Sequence, residues 1–237
     1  MIWNSTNIYS TLTIEFLNNM NVISFSLWGD KDKYTKGAIR NATLASTLYR
    51  GWECRFYSDE ETVPAAILDQ LESMKNVRVI RMSASKEPHW SMFWRFYAAG
   101  DPNVDCAVFR DADSRVTQRE MMAVQDWIAS GKSFHVMRDH PHHGARMCGG
   151  MWGVRNGKLL KVREMIDEYY STELIKTVVF GLDQDFLLHR VWDMAKNDVM
   201  EHDDFFAKKP YPMQRDPRHF VGQVYDENDN PLSLDFL

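Results

Sequence analysis

Apolar, β-rich runs alternate with stretches of helical periodicity along most of this chain. Residues 21–28 (NVISFSLW) form an apolar run that stops at Gly29-Asp30, the pattern of a buried strand followed by a turn. From 34 to 48 the apolar positions Ala38, Ile39, Ala42, Leu44, Ala45 and Leu48 have helical spacing, and Gly51 follows near the end. A strand is predicted over 53–57, a helix from Pro64 to 74 and a strand over 77–82. Residues 90–99 (WSMFWRFYAA) read as a helix stopped by Gly100-Asp101-Pro102, and 104–109 as a buried strand. A helix over 119–130 ends at Gly131, and 133–137 is a short strand. Residues 139–153 (DHPHHGARMCGGMWG) break the pattern and read as a loop rich in His and Gly. Helices over 158–170 and 183–192 close the regular part. The Pro-, Asp- and Asn-rich tail from 203 is predicted to wrap the surface.

The β-α-β-α-β alternation of the first half predicts a mainly parallel sheet flanked by helices. At 237 residues and 44% hydrophobic, the chain can bury one sizeable core, so a single α/β domain is expected. The net charge of −5, with no basic stripe, argues against nucleic acid as the main partner. Cys54, Cys106 and Cys148 are far apart and match no zinc spacing, which points to a reducing, cytoplasmic setting. The first 20 residues lack the basic and apolar regions of a signal peptide, and no apolar run reaches the ~18 residues of a membrane span.

Chemistry concentrates where the 104–109 run ends in Arg110-Asp111-Ala112-Asp113. Ligands gather at the carboxyl ends of strands in open α/β sheets, and two Asp one residue apart offer hard oxygen ligands for Mg²⁺ or Mn²⁺. The competing reading is that the pair ends a strand and caps the next helix. Asp183, in Asp183-Gln184-Asp185, is both a natural N-cap and a functional candidate. Arg95 reads either as a partner of a carboxylate or the ligand, or as a solvated side chain. Lys31, Lys33, Tyr34, Lys36 and Arg40 form a basic cluster beside the first turn, or a solvated helix face. In Asp139-His140-Pro141-His142-His143 a zinc site is disfavoured by the spacing, and an acceptor loop using His as hydrogen-bond donors fits equally well. Gly149-Gly150 permits close backbone approach to a diphosphate or sugar, while Trp152 offers a ring face for an acceptor or packs in the core.

In order along the chain, these motifs resemble a GT-A glycosyltransferase. Ser26-Leu27-Trp28-Gly29-Asp30 stands where such enzymes hold nucleobase and ribose. WRFYAAGDPNVDCAVFRDADSRV is similar to the helix, strand and Asp-x-Asp element of retaining transferases of the glycogenin and lipopolysaccharide galactosyltransferase type. GGMWG stands for their acceptor-side strand, LDQDFL for their Asp-Gln-Asp helix start, and Arg218-His219-Phe220-Val221-Gly222 for the late His-aromatic-x-Gly element. The family's Lys-Pro-Trp after that Gly is replaced by Gln223-Val224-Tyr225, which puts diphosphate contacts from that loop in question. The pattern also resembles small glycosyltransferases of bacteria and of large algal viruses, some building rhamnose-containing capsid glycans.

The resemblance implies a single GT-A domain over 1–237. Residues 1–20 would be an extension, 21–138 the nucleotide-sugar half, 139–222 the acceptor half and 223–237 a tail. It implies transfer from a nucleotide sugar, UDP-linked, with UDP-rhamnose and UDP-glucose in view, to a glycan or glycoconjugate, with retention. A viral source would place it in the host cytoplasm. Mn²⁺ or Mg²⁺ would sit on Asp111, Asp113 and His219, with His202 as the competing third ligand. Ser26, Leu27, Trp28, Gly29, Tyr34, Arg95, Arg110, Asp111, Ala112, Asp113, Gly149 and Gly150 would bind the donor. Asp185, with Asp183 and Gln184, would stabilise charge at the anomeric carbon. The alternatives are an inverting enzyme with Asp185 or Asp139 as base, and a haloacid dehalogenase-type phosphatase with Asp111 as phosphoryl acceptor and Asp203-Asp204 as its later acidic pair. A nucleotidyltransferase would want a better Gly-rich, Lys-containing first loop than Gly29-Asp30-Lys31-Asp32-Lys33. A non-catalytic sugar-binding module would not need the strand-end carboxylates.

Overall fold

The computed structural model describes residues 20–83, 89–172 and 181–232. The 1–20 extension lies outside this range except for Met20, as do the last five residues of the tail. The chain starts with strand β1 (Met20–Leu27), helix α1 (Asp32–Leu48), strand β2 (Glu53–Asp59), helix α2 (Ala65–Glu72) and strand β3 (Val77–Met82). The predicted helix over 90–99 is instead a 3₁₀ helix (Trp90–Gly100), followed by β4 (Val104–Phe109), α3 (Gln118–Ser130) and β5 (Phe134–Arg138). Strand β6 (Trp152–Arg155) starts within residues 139–153, which the local pattern reads as loop and the GGMWG resemblance as a strand. Helix α4 (Val162–Tyr170) starts four residues later than predicted. Next come α5 (Leu182–Phe186), a π-helical turn (Leu187–Val191), α6 (Trp192–Ala195) and an unpredicted strand β7 (Val199–Asp203).

The strands form one sheet in the order β3-β2-β1-β4-β6-β5-β7. Its first four strands are parallel, β6 runs antiparallel to both neighbours, and β7 is parallel to β5. Both faces are covered, which is why the central strands read as nearly continuous apolar runs. On one face Ile23, Phe25, Phe56 and Val108 pack with Ala38, Ala42, Leu68 and Trp127 from α1, α2 and α3. On the other, Val22, Ala107, Phe109 and Trp152 pack with Phe93 and Phe96 of the 3₁₀ helix, Ile166 of α4 and Phe186 of α5. Burying such aromatic and aliphatic groups contributes about 1.5–3 kcal/mol each and holds the three layers together.

Sequence order reverses at β1, whose neighbours are β2 on one side and β4 on the other. In open α/β sheets such a reversal is where ligands gather, at the carboxyl ends of the adjacent strands. The turn after β4 falls at this point.

Candidate functional site

The carboxyl ends of β1 and β4 line a cleft of about 300 Å³. Ser26, Leu27, Trp28, Gly29 and Tyr34 form one wall, and Arg95, Asp111, Ala112 and Asp113 form the floor, all of them expected from the sequence. Gly29 has a positive φ of 75°, so the chain turns sharply and leaves the Trp28 side chain 43% exposed beside the cleft. The Ser26 hydroxyl accepts from the Arg95 amide at 2.9 Å, tying the 3₁₀ helix to β1.

Arg95 organises the floor. Its guanidinium is buried, pairs with Asp111 through one Nη, and donates through the other to Asp183 Oδ2 at 2.6 Å. The choice left open by the sequence is thereby resolved: Arg95 joins the strand-end carboxylate to the Asp-Gln-Asp segment. Gly149 and Gly150 lie directly beneath. A β-carbon at Gly149 would collide with Asp183 Oδ2, and one at Gly150 with Asp111 Oδ2. The two glycines were expected to admit a donor group; the groups they admit are the carboxylates that shape the floor. Asp183 is not the expected N-cap, since that position is Gly181, with φ 75°.

Asp113 is paired with Lys33, whose Nζ lies 3.0 Å from Oδ2. Burial, then the nearby Asp111 charge, push the Asp113 carboxyl above its ordinary range despite Lys33. Neither Asp caps the following helix: the Thr117 side chain does so, accepting from the Glu120 amide at 3.2 Å. The tail closes over the same turn. Val224 bridges to Ser114, the Tyr225 amide donates to the Asp113 carbonyl at 2.8 Å, and Asp229 pairs with Arg40 and Arg115.

Other expected residues lie elsewhere. Arg110 is a correction: it is buried away from the cleft, bonded to Glu120 at 2.7 Å and to the Phe109 and Trp152 carbonyls. Asp185 accepts from the Tyr169 hydroxyl and faces His189, so Asp183 rather than Asp185 joins the Arg95 floor. Gln184 follows Asp183, its amide bonded to Asp183 Oδ1 at 2.9 Å. Asp139 is fully buried, with both oxygens on Arg119 and one also on the Val221 amide, which makes it a strut rather than an accessible base. Trp152 is core, stacked near Phe109.

His202 is buried between His135 and Asp126, remote from third-ligand duty. His219 Nδ1 lies 3.3 Å from Gln223 Oε1 and 3.5 Å from the Tyr225 hydroxyl. Among the described residues no three His, Cys, Asp or Glu side chains converge as a preformed metal centre, so His219 does not join Asp111 and Asp113 in such a group. The phosphatase's second acidic pair is also occupied: Asp203 binds the amides of Phe205, Phe206 and Ala207 together with Arg138, and Asp204 pairs with Arg119. Of the basic cluster, Lys31 lines the cleft and Lys33 reaches Asp113, while Lys36 pairs with Asp32 in solvent. The lining also includes Asp30. The role of Lys33 was hidden because its partner lies 80 positions away.

This arrangement is the GT-A fold. The galactosyltransferase LgtC, solved with donor and acceptor sugar analogues, superposes with a TM-score of 0.50 at 16% identity, covering 77% of this chain and 73% of that one. TarS of S. aureus (residues 1–349) gives a TM-score of 0.50 at 13% identity, over 81% of this chain and 59% of that one. No protein-family model and no curated protein matches the sequence.

Proposed function

We propose that the protein is a divalent-metal-dependent glycosyltransferase. It takes a sugar from a nucleotide donor, UDP-linked with rhamnose or glucose as the sugar, and transfers it with retention to a glycan or glycoconjugate. The observation that carries the reading is Arg95 joining Asp111 to Asp183 on the floor of a cleft at the topological switch point. That is where a donor would lie with its base against Trp28 and its diphosphate over Asp111 and Asp113.

The donor set fits Mn²⁺ or Mg²⁺. Two hard carboxylates leave the remaining positions to phosphate oxygens and water, the usual arrangement for these ions. A dication would also relieve the mutual repulsion that raises the Asp113 carboxyl. Bound there, the ion would supply Lewis-acid stabilisation of the departing diphosphate. His219 belongs to the loop whose Tyr225 amide grips the Asp113 turn, and it is retained as the third ligand to be tested.

The chain's own residues divide the remaining work. Arg95 holds Asp111 and Asp183 in fixed orientation without water between them. Asp183, 7% exposed, presents negative charge where positive charge develops at the anomeric carbon. The Gln184 backbone N–H, donating to Asp183 Oδ1, steadies that carboxylate.

The test is hydrolysis and transfer with UDP-glucose, UDP-rhamnose and GDP-mannose in the presence of Mn²⁺, with the anomeric configuration of the product read by NMR. Turnover of a UDP-sugar with retained configuration, lost in Asp113→Ala, is expected. Turnover that survives in Asp113→Ala, or no turnover with any nucleotide sugar, would contradict it. Metal affinity read by electron spin resonance should fall more in His219→Ala than in His202→Ala.

A further inference from the structure

Phe220 is the hub of a cluster in the half of the chain expected to meet the acceptor. Its ring stacks on His140 with 4.4 Å between centroids, meets His143 at 5.6 Å, and lies 5.9 Å from the Arg215 guanidinium. The hydrogen bonds of the two imidazoles define where their protons sit. His140 Nδ1 accepts from the His142 amide at 3.2 Å, and His143 Nδ1 accepts from the Asp139 amide at 3.1 Å. Burial, then neighbouring positive charge, depress both rings, His143 to about 4, so both are neutral near pH 7. A neutral imidazole that accepts at Nδ1 carries its proton on Nε2. Each ring therefore presents an Nε2–H donor, and neither finds a protein partner among the described residues.

Arg215 completes the set. Its Nε donates to the His219 carbonyl at 3.3 Å, and its guanidinium lies 5.2 Å from the Phe205 ring. Its two Nη groups pair with no carboxylate among the described residues. Nearby Asp139 cannot serve as its partner, because Arg119 and the Val221 amide already engage it. The cluster is tied to the floor through its own loop, since five residues beyond Phe220 the Tyr225 amide donates to the Asp113 carbonyl at 2.8 Å. Residues 140–146 and 208–219 carry Arg146, Lys208, Lys209, Arg215 and Arg218 against one acid, Asp216, in a chain of net charge −5. Donors gathered around one ring with no acceptor of their own favour a multiply charged oxyanion.

We propose that Arg215 and the Nε2–H groups of His140 and His143 form an anion subsite for a phosphoryl group on the acceptor. The acceptor is then a phosphorylated sugar or glycan rather than a neutral one. This rests on the transferase reading above, which supplies the donor on the other side of Asp111. The donor's own diphosphate is the other source of the same chemistry, and the experiment separates the two.

Inorganic phosphate and glucose 1-phosphate, with glucose as the neutral comparison, are titrated calorimetrically into the protein with and without UDP and Mg²⁺. Expected is saturable binding of both phosphates but not glucose, unaffected by UDP. Arg215→Met, which keeps the packing on the two rings, should weaken phosphate about tenfold or more while UDP binding is unchanged. In the wild type, phosphate should also shift the Nε2–H proton resonances of His140 and His143, a readout that needs no variant. Absence of saturable phosphate binding overturns the subsite. Competition between phosphate and UDP, or equal weakening of UDP in Arg215→Met, assigns the cluster to the donor and overturns the acceptor assignment. Failure of UDP to bind, with phosphate still held through Arg215, removes the transferase reading and the acceptor role with it, leaving the bare anion site.

Discussion

Two regions that meet at the turn after β4 are built by different means. The donor side stands on the ends of β1 and β4, central parallel strands whose side chains are buried on both faces. The side proposed for the acceptor is made of loops, residues 139–148 and the segment after β7, laid over a small cluster of Ala123, Met137, Cys148, Met151, Tyr211 and Val221. Packing alone holds little there, and buried ion pairs do the stapling: Arg119 with Asp139 and Asp204, and Arg138 with Glu201 and Asp203. A rigid sheet places Asp111 and Asp113, while a polar lattice shapes the surface proposed to meet the acceptor. The acceptor side should therefore be the more sensitive to loss of a charge, and the donor floor to added bulk.

The largest expected effect comes from breaking the polar lattice. Arg119→Met leaves Asp139 buried without its cation, and removing one partner of such a pair costs about 3–5 kcal/mol. At roughly 2–4 °C per kcal/mol for a chain of this length, the melting temperature should drop by roughly 10 °C. A drop of only a degree or two in a thermal melt would mean that the loops are held by something else. On the donor floor, Gly149→Ala and Gly150→Ala force a methyl group into Asp183 or Asp111. Overpacking of this kind costs about 1–3 kcal/mol, and nucleotide binding should be lost with it, because the displaced carboxylate is the one Arg95 orients. Nucleotide titration of either variant at wild-type affinity would show that the floor is not pre-set.

Acidification should act mainly through buried imidazoles. His143 is depressed from 6.5 to about 4, and His135, buried beside His202, is pushed in the same direction. In that interval the unfolded chain binds more protons than the folded one, so the contribution is complete above pH 6.5 and is lost as pH falls toward 4. Melts between pH 7 and 4.5 should show falling stability; a flat profile would contradict the neutral-ring assignment. The smallest effect is expected at Lys33, whose partly exposed pair with Asp113 contributes about 0.2–1 kcal/mol. Lys33→Met should leave the melting temperature nearly unchanged, and a shift above ~4 °C would make the pair a structural element.

The same contrast explains what could be read from the sequence. Strands β1 and β4 announce themselves because residues on both their faces are buried and largely apolar, and Asp111 and Asp113 stand out where β4 stops. Strand β7 (VMEHD) does not, because its two buried residues, His202 and Asp203, are polar and paired with His135 and Arg138 of the neighbouring strand β5. Strand β6 is only four residues long and follows an irregular loop. Local pattern also could not choose between Asp183 and Asp185. The choice depends on Arg95, 88 positions earlier, whose position follows from the hydrogen bond between its amide and Ser26. Arg110 looked like part of the site by adjacency, yet a side chain next to Asp111 on an extended backbone points to the opposite side, toward Glu120.

The central claim is that Asp111 and Asp113 bind a nucleoside diphosphate through a divalent ion. Calorimetric titration of UDP into the protein, with Mn²⁺ and then with EDTA, tests it most directly. Saturable binding with Mn²⁺ that disappears in EDTA and in Asp113→Asn is the predicted result. Equal binding under all three conditions, or none with Mn²⁺, would contradict it.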